Sequence, residues 1–266
     1  MVIKTFKIPL LILLALVLLG NLVKAQQLNT DSLKKLIQET KDDTVKIVAM
    51  QTLANYFIKH DGQEKEGLDL LLLSRNLSLS SGFKRGIAQS YLTEGNYHRS
   101  KSEWAESINC YEKAIEYGKQ IPEQALQFKM QMMSLNNLGG VFNSNGDYNQ
   151  SLQYRLQSLA IAESASQPDP NHLGLIFLNI CSDYRKLQLS SKGLGYLQKA
   201  EALEGKINDV LKMELYFEAF QYYDLDNNAE ALKKYLEKMD AGLEKFNLSA
   251  FQKKDFAFIS YQLHSQ

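Results

Sequence analysis

The sequence predicts an all-α chain built from stacked helix hairpins. Three observations carry this. The segment Asn136-Asn137-Leu138-Gly139-Gly140-Val141-Phe142-Asn143-Ser144-Asn145-Gly146-Asp147-Tyr148 recurs in weaker form as Gly95-Asn96-Tyr97-His98-Arg99-Ser100-Lys101-Ser102-Glu103-Trp104. Each copy runs into an amphipathic stretch, Ser151 to Ser158 after the first and Ser107 to Ala114 after the second. Small residues recur at Ala54, Gly95, Gly139, Cys181 and Ala219, spaced by 41, 44, 42 and 38 residues, and self-similarity at such a period marks a repeat array. With only 4 prolines in 266 residues, long uninterrupted helices follow.

Five hairpins are read in order, at 44–83, 86–121, 130–166, 172–206 and 210–242, within an array spanning 44–248. Each has a first helix with a large residue, a small one beside it and an aromatic or large one three further on. After a turn, the second helix carries a small residue, a large one four later and a small one three after that. The third unit is clearest, with Leu138, Gly139 and Phe142, the turn Gly146-Asp147-Tyr148, then Ser151, Arg155 and Ser158. The corresponding second-helix triplets are Gly67, Leu71, Ser74, then Ser107, Tyr111, Ala114, then Gly193, Leu197, Ala200. The fifth unit offers Ala231, Leu232 and Tyr235. Small residues let antiparallel helices approach to about 8–10 Å while large ones fill the space beside them. Gln167-Pro168-Asp169-Pro170 and Ile121-Pro122 read as loops between units.

Flanking pieces complete the reading. Residues 26–43 supply a capping helix, with Leu33, Leu36 and Ile37 at helical spacing and Thr30 or Asp31 as N-cap. Residues 249–266 form a C-terminal helix with Phe256, Ile259 and Leu263 on one face, a cap or an incomplete sixth unit. Residues 1–25 lie outside the fold. Lys4 and Lys7, an apolar run from Ile8 to Leu19 and Val23-Lys24-Ala25 before Gln26 read as a cleavable signal peptide. The chain is then exported and periplasmic, the alternative being a membrane anchor formed by the uncleaved segment.

Composition excludes several classes. The 30 basic and 30 acidic side chains give a net charge of +0, so nucleic-acid binding by counterion release is not expected. Hydrophobic residues at 45% favour an ordered core. Cys110 and Cys181 fall in different units and read as buried thiols. No catalytic constellation, phosphate loop or metal-ligand spacing is present, so neither enzyme activity nor a cofactor or metal is expected. Leu138-Gly139-Gly140 and Gly193-Leu194-Gly195 read as helix-packing glycines, and His98 as a packed core histidine.

These residues resemble those of tetratricopeptide repeat (TPR) proteins, over roughly Thr44 to Gly242. The period exceeds the family's usual span of about 34 residues. It is similar to the long-helix subgroup found in kinesin light chains and in bacterial regulatory and sensor proteins. The resemblance implies a right-handed α-α superhelix of about five units. With the N-terminal segment, it also resembles the exported repeat regions of sensor histidine kinases in Bacteroidetes-type bacteria.

In such an array the first helices line the concave face. Their residues outside the packing register are Gln51, Asn55 and Lys59; Gln89, Asn96 and Arg99; Asn136, Asn137 and Asn143; Asn179, Ser182 and Arg185; and Tyr216, Phe220 and Tyr223. Amides at Asn55, Asn96, Asn136, Asn137 and Asn179 both donate and accept, and suit an extended peptide backbone. Arg99 and Arg185 suit a carboxylate, and Tyr216, Phe220 and Tyr223 an apolar pocket. The expected function is non-enzymatic binding of a peptide or protein segment in this groove. The alternative is a sensor module that recruits or dimerises a membrane signalling partner, with a homodimer forming through the C-terminal helix.

Overall fold

The computed structural model describes residues 30–59, 62–225, 228–246, 248, 252–254 and 256–257. The signal segment and most of the C-terminal helix read from the sequence lie outside these. The described residues are helical, with no strand among them. The first helix, α1, covers 30–39. Five hairpins follow: α2 (Asp43–Ile58) with α3 (Glu64–Ser80), α4 (Lys84–Ser100) with α5 (Trp104–Gly118), α6 (Gln124–Ser144) with α7 (Tyr148–Ser164), α8 (Pro170–Lys186) with α9 (Ser190–Glu201), and α10 (Asp209–Leu225) with α11 (Ala229–Lys245). The extra length of most repeats sits in the helices, most of them 15–17 residues and α6 21, with α9 the exception at 12.

The chain divides into two compact units, Met1–Glu94 and Gly95–Gln266. In the first, α2 packs against α3, and α1 is tied to them by Lys34, which reaches Glu66 and lies over the Phe57 ring. Ile47, Leu53, Ala54, Phe57 and Leu71 form the core. In the second, α5 packs on α6, α6 on α7, α7 on α8, α8 on α9 and α10 on α11, with α10 also touching α8 and α9. Residues such as Leu138, Ile180, Leu197, Met213 and Leu215 are almost wholly removed from water, each worth about 1.5–3 kcal/mol.

The turns explain the helix ends. Glu103, Asp147, Leu189 and Asn228 each donate a backbone N–H to the carbonyl five residues back, at His98, Phe142, Tyr184 and Tyr223, which closes the first helix of the last four hairpins. The residue just before the donor is left-handed where its dihedral stands out: Gly146 at φ +83°, Ser102 at 60° and Gln188 at 59°. Only Gly146 takes this conformation without a Cβ penalty. Asp147 then caps α7 by accepting from the Gln150 N–H, and Asn228 caps α11 through Ala231. Asp169 caps α8 with Pro170 at its first turn, so the second proline of the 167–170 segment begins the helix and does not belong to the loop.

Candidate functional site

The site is the row of first helices in the second unit. It is built by hydrogen bonds that run from one first helix to the next. Asn137 Nδ2 donates to Asn96 Oδ1 at 3.0 Å, joining α6 to α4. Asn179 Nδ2 donates to Asn136 Oδ1 at 3.1 Å, joining α8 to α6. Asn143 Nδ2 donates to Asp183 Oδ1 at 2.7 Å across the same pair. Arg185 forms a bidentate pair with Glu218 at 3.0 Å, joining α8 to α10. Each crossing spans 33 to 43 residues of sequence, about one repeat.

This changes the assignment of the residues read as ligand-facing. Asn136 is buried, its Oδ1 taken by Asn179. Asn143 is committed to Asp183, and Arg185 is held by Glu218, so neither is free to meet a ligand carboxylate. Tyr216 and Phe220 are buried at 4% and 6% exposure, not open to a groove. Tyr216 donates to Glu204, and its ring centroid lies 6.2 Å from that of Tyr235. Tyr223 stacks on Tyr235 at 5.7 Å and reaches Glu201. Tyr216 and Phe220 thus belong to the buried core, and Tyr223, half-buried, packs against it. The physical reason is that α10 is apolar nearly all round, so the spacing of its aromatics does not reveal which stripe is covered. Its half-buried side chains include Val210, Phe217 and Gln221, spaced seven and four apart on another face.

The remaining residues stay accessible. Asn96 and Arg99 are exposed; Asn137, Asn179 and Ser182 are half-buried. Asn96 Oδ1 also accepts from the Tyr111 hydroxyl at 2.7 Å, which leaves its amide donors over. The Arg99 guanidinium lies along Gly140, where a Cβ would come within 3.4 Å of it. In the first unit, Asn55 is exposed on α2 and Lys59 just after its end, Gln89 is half-buried on α4, and Gln51 is buried with its amide donating to the Gly86 carbonyl.

Beneath this face lies a buried ion pair that no sequence motif announced. Arg155 Nη1 is 2.6 Å from Asp183 Oδ1 and donates to the Asn179 carbonyl at 2.7 Å. Ser151 donates to the other Asp183 oxygen at 2.8 Å. Burial pushes the Asp183 carboxyl up and the Arg155 guanidinium down from their ordinary ranges, and the charge of each partner pushes back. Arg155 Nε finds no partner among the described residues. One signal was available in the sequence. Arg155 occupies a slot filled by Leu71, Tyr111 and Leu197 elsewhere, and an arginine in a core slot requires a buried acid nearby.

Within the second unit, two cavities open at the N-terminal ends of first helices. One, of ≈ 220 Å³, is lined by Phe128, Met132, Ile161, Ala162 and Pro168, with Lys129 and His172. The other, of ≈ 630 Å³, lies between α8 and α10 and is lined by His172, Leu175, Val210, Leu211 and Glu214 among others. Burial holds His172 below the usual imidazole range, with Asp169 opposing and Lys129 adding to the shift. Cys110 and Cys181 are buried and in no disulfide, and burial pushes the Cys181 thiol up, which makes it a poor nucleophile. His98 is half-buried and pairs with Glu103 at 2.5 Å, at the hairpin turn and not in a core. Gly193 packs tightly, since a Cβ there would meet the Tyr222 hydroxyl, whereas Gly195 faces open space and plays no packing part.

No protein-family model matches the sequence, and no curated protein matches it. Solved structures do. Aspartyl phosphate phosphatase F from Bacillus subtilis is 15% identical, with a TM-score of 0.68 over 92% of this chain and 66% of its own. This chain therefore spans just under two thirds of that protein. BtubC (BKLC) from P. vanneervenii is 19% identical over 70% of this chain and 74% of its own, with a TM-score of 0.56. The nearly identical TPR-like repeats of a kinesin-light-chain-type protein from Podosopora anserina are 14% identical over 79% and 100%, also at 0.56. At these identities the likeness is one of fold. The chain has the all-α fold of TPR-like helical repeats, in keeping with the resemblance carried by its small-residue register.

Proposed function

We propose that this protein is a non-enzymatic scaffold that binds an extended peptide or protein segment along the first-helix face of its second unit. The observation that carries the reading is the bonded amide row. Asn137 and Asn179 each spend one side-chain donor on the neighbouring helix, and no described residue donates to their side-chain Oδ1 atoms. An amide held by one partner is pre-oriented and still presents an acceptor, so a backbone N–H gains a bond at little ordering cost. Exposed Arg99, beside the side-chain-free Gly140, adds a cationic group for a carboxylate on the same face. TPR-like helical repeats are suited to such a role, because hairpins in series leave a run of first helices open to a ligand.

The test uses the full chain against a library of random peptides of about a dozen residues. Asn137→Ala, Asn179→Ala and Arg99→Ala are expected to weaken the selected peptides by roughly three- to tenfold each, with helicity by circular dichroism unchanged. Asn55→Ala, in the other unit, serves as the control. Unaltered affinity in all three variants rejects the reading.

The N-terminal segment supports action in the cell envelope after export, and a signal-peptide cleavage assay in a bacterial host checks this. Recruitment of a membrane signalling partner, as in exported repeat regions of sensor kinases, is the rival role. A pulldown from envelope extract that returns an inner-membrane signalling protein would favour it.

A further inference from the structure

The two cavities flanking the start of α8 define what the bound segment must carry. The α6–α7–α8 cavity is apolar and, at ≈ 220 Å³, smaller than the ~300–1,000 Å³ of small-molecule pockets, so it suits one large apolar side chain. Lys129 lines it, which disfavours a basic side chain at that end. The α8–α10 cavity is wider and floored by Leu175, Val210 and Leu211. Its two acids differ. Asp209 is paired with Lys212 at 3.0 Å, whereas no described residue pairs with Glu214. Asn171 and Asn208, also lining it, are bonded to each other at 2.9 Å. Glu214 is therefore the group left to select charge. His172 lines both cavities, so one ligand passing over it reaches both.

Resting on the peptide-binding reading above, we infer that the ligand is an extended segment that places a large apolar side chain in the α6–α7–α8 cavity and a lysine or arginine against Glu214. Neighbouring helices pack about 8–10 Å apart, and a chain extended as polyproline II rises about 3.1 Å per residue and returns to the same face every third residue, so the two side chains stand about three residues apart. Lys129 and Glu214 together set the direction of the charge preference along the groove.

The experiment is selection of random displayed peptides on the full chain, with wild type, Glu214→Lys and Ala125→Trp as separate baits. Ala125 is an exposed residue lining the smaller cavity, so tryptophan fills that cavity from its solvent side. Wild type is expected to enrich a large apolar residue about three positions from a basic one. Glu214→Lys should keep the apolar preference, lose the basic one and bind the wild-type peptides at least about tenfold more weakly. Ala125→Trp should keep the basic preference and lose the apolar one. If peptides are selected but all three baits enrich the same motif, or none with a basic residue, the inference falls while peptide binding stands. If no bait selects peptides, both fall.

Discussion

Tyr111 and Arg155 occupy the same slot in consecutive hairpins, and they are held in different ways. Tyr111 is fully buried, packs its ring into the space left by Gly95, and donates its hydroxyl to Asn96 on its own hairpin. Arg155 packs its stem into the space left by Gly139, but its charge is met by Asp183, which belongs to the next hairpin. The first arrangement is local and neutral. The second makes one repeat depend on its neighbour. The slot accepts either because the glycine opposite clears room for a long side chain, and what differs is where the polar tip finds its partner.

The largest expected effect breaks the second arrangement. Asp183→Ala leaves a buried, unpaired guanidinium and should cost about 3–5 kcal/mol in chemical denaturation. Replacing both members, as Arg155→Leu with Asp183→Leu, should recover most of that loss, because well-packed apolar residues often equal a buried pair. If the double variant is as unstable as the single, the ion pair is not what distinguishes this slot.

A smaller effect is expected at the neutral slot. Tyr111→Phe keeps the ring and removes one hydrogen bond, a loss of about 1 kcal/mol by the same denaturation measurement. A loss matching that of Asp183→Ala would erase the contrast between the hairpins. The smallest effect concerns the turns. Gly146 follows α6, and Ser102 holds the equivalent left-handed position after α4. Ser102→Gly should relieve part of a penalty of about 1 kcal/mol, offset by the greater freedom of glycine in the unfolded chain, so melting temperature is expected to rise slightly or hold. A marked fall would show that the serine side chain supports the turn.

The register of small residues was legible because close helix packing leaves few chemical choices at those positions. Gly95, Gly139 and Gly193 could not carry a Cβ without displacing Tyr111, Arg155 or Tyr222. The candidate site was legible only in part. Asn96, Arg99, Asn137 and Asn179 are on the accessible first-helix face, whereas Asn136, Tyr216 and Phe220 are buried. Periodicity places a residue on a helix to within about one turn of the stripe it faces. Where most of a helix is apolar, as in α10, that resolution does not separate a groove from a core.

By itself the sequence determined that this chain is a series of helix hairpins, since recurring small residues at a near-constant period fit little else. Only the tertiary structure decided which polar side chains meet. Asn137 and Asn96, Asn179 and Asn136, Arg155 and Asp183, and Arg185 and Glu218 are partners 28 to 43 residues apart, brought together by the packing of one hairpin on the next. Local propensity acts over a few residues and carries no information about such distances. The pairing depends on where neighbouring helices come to rest, and with it the choice of which amides remain open to a ligand.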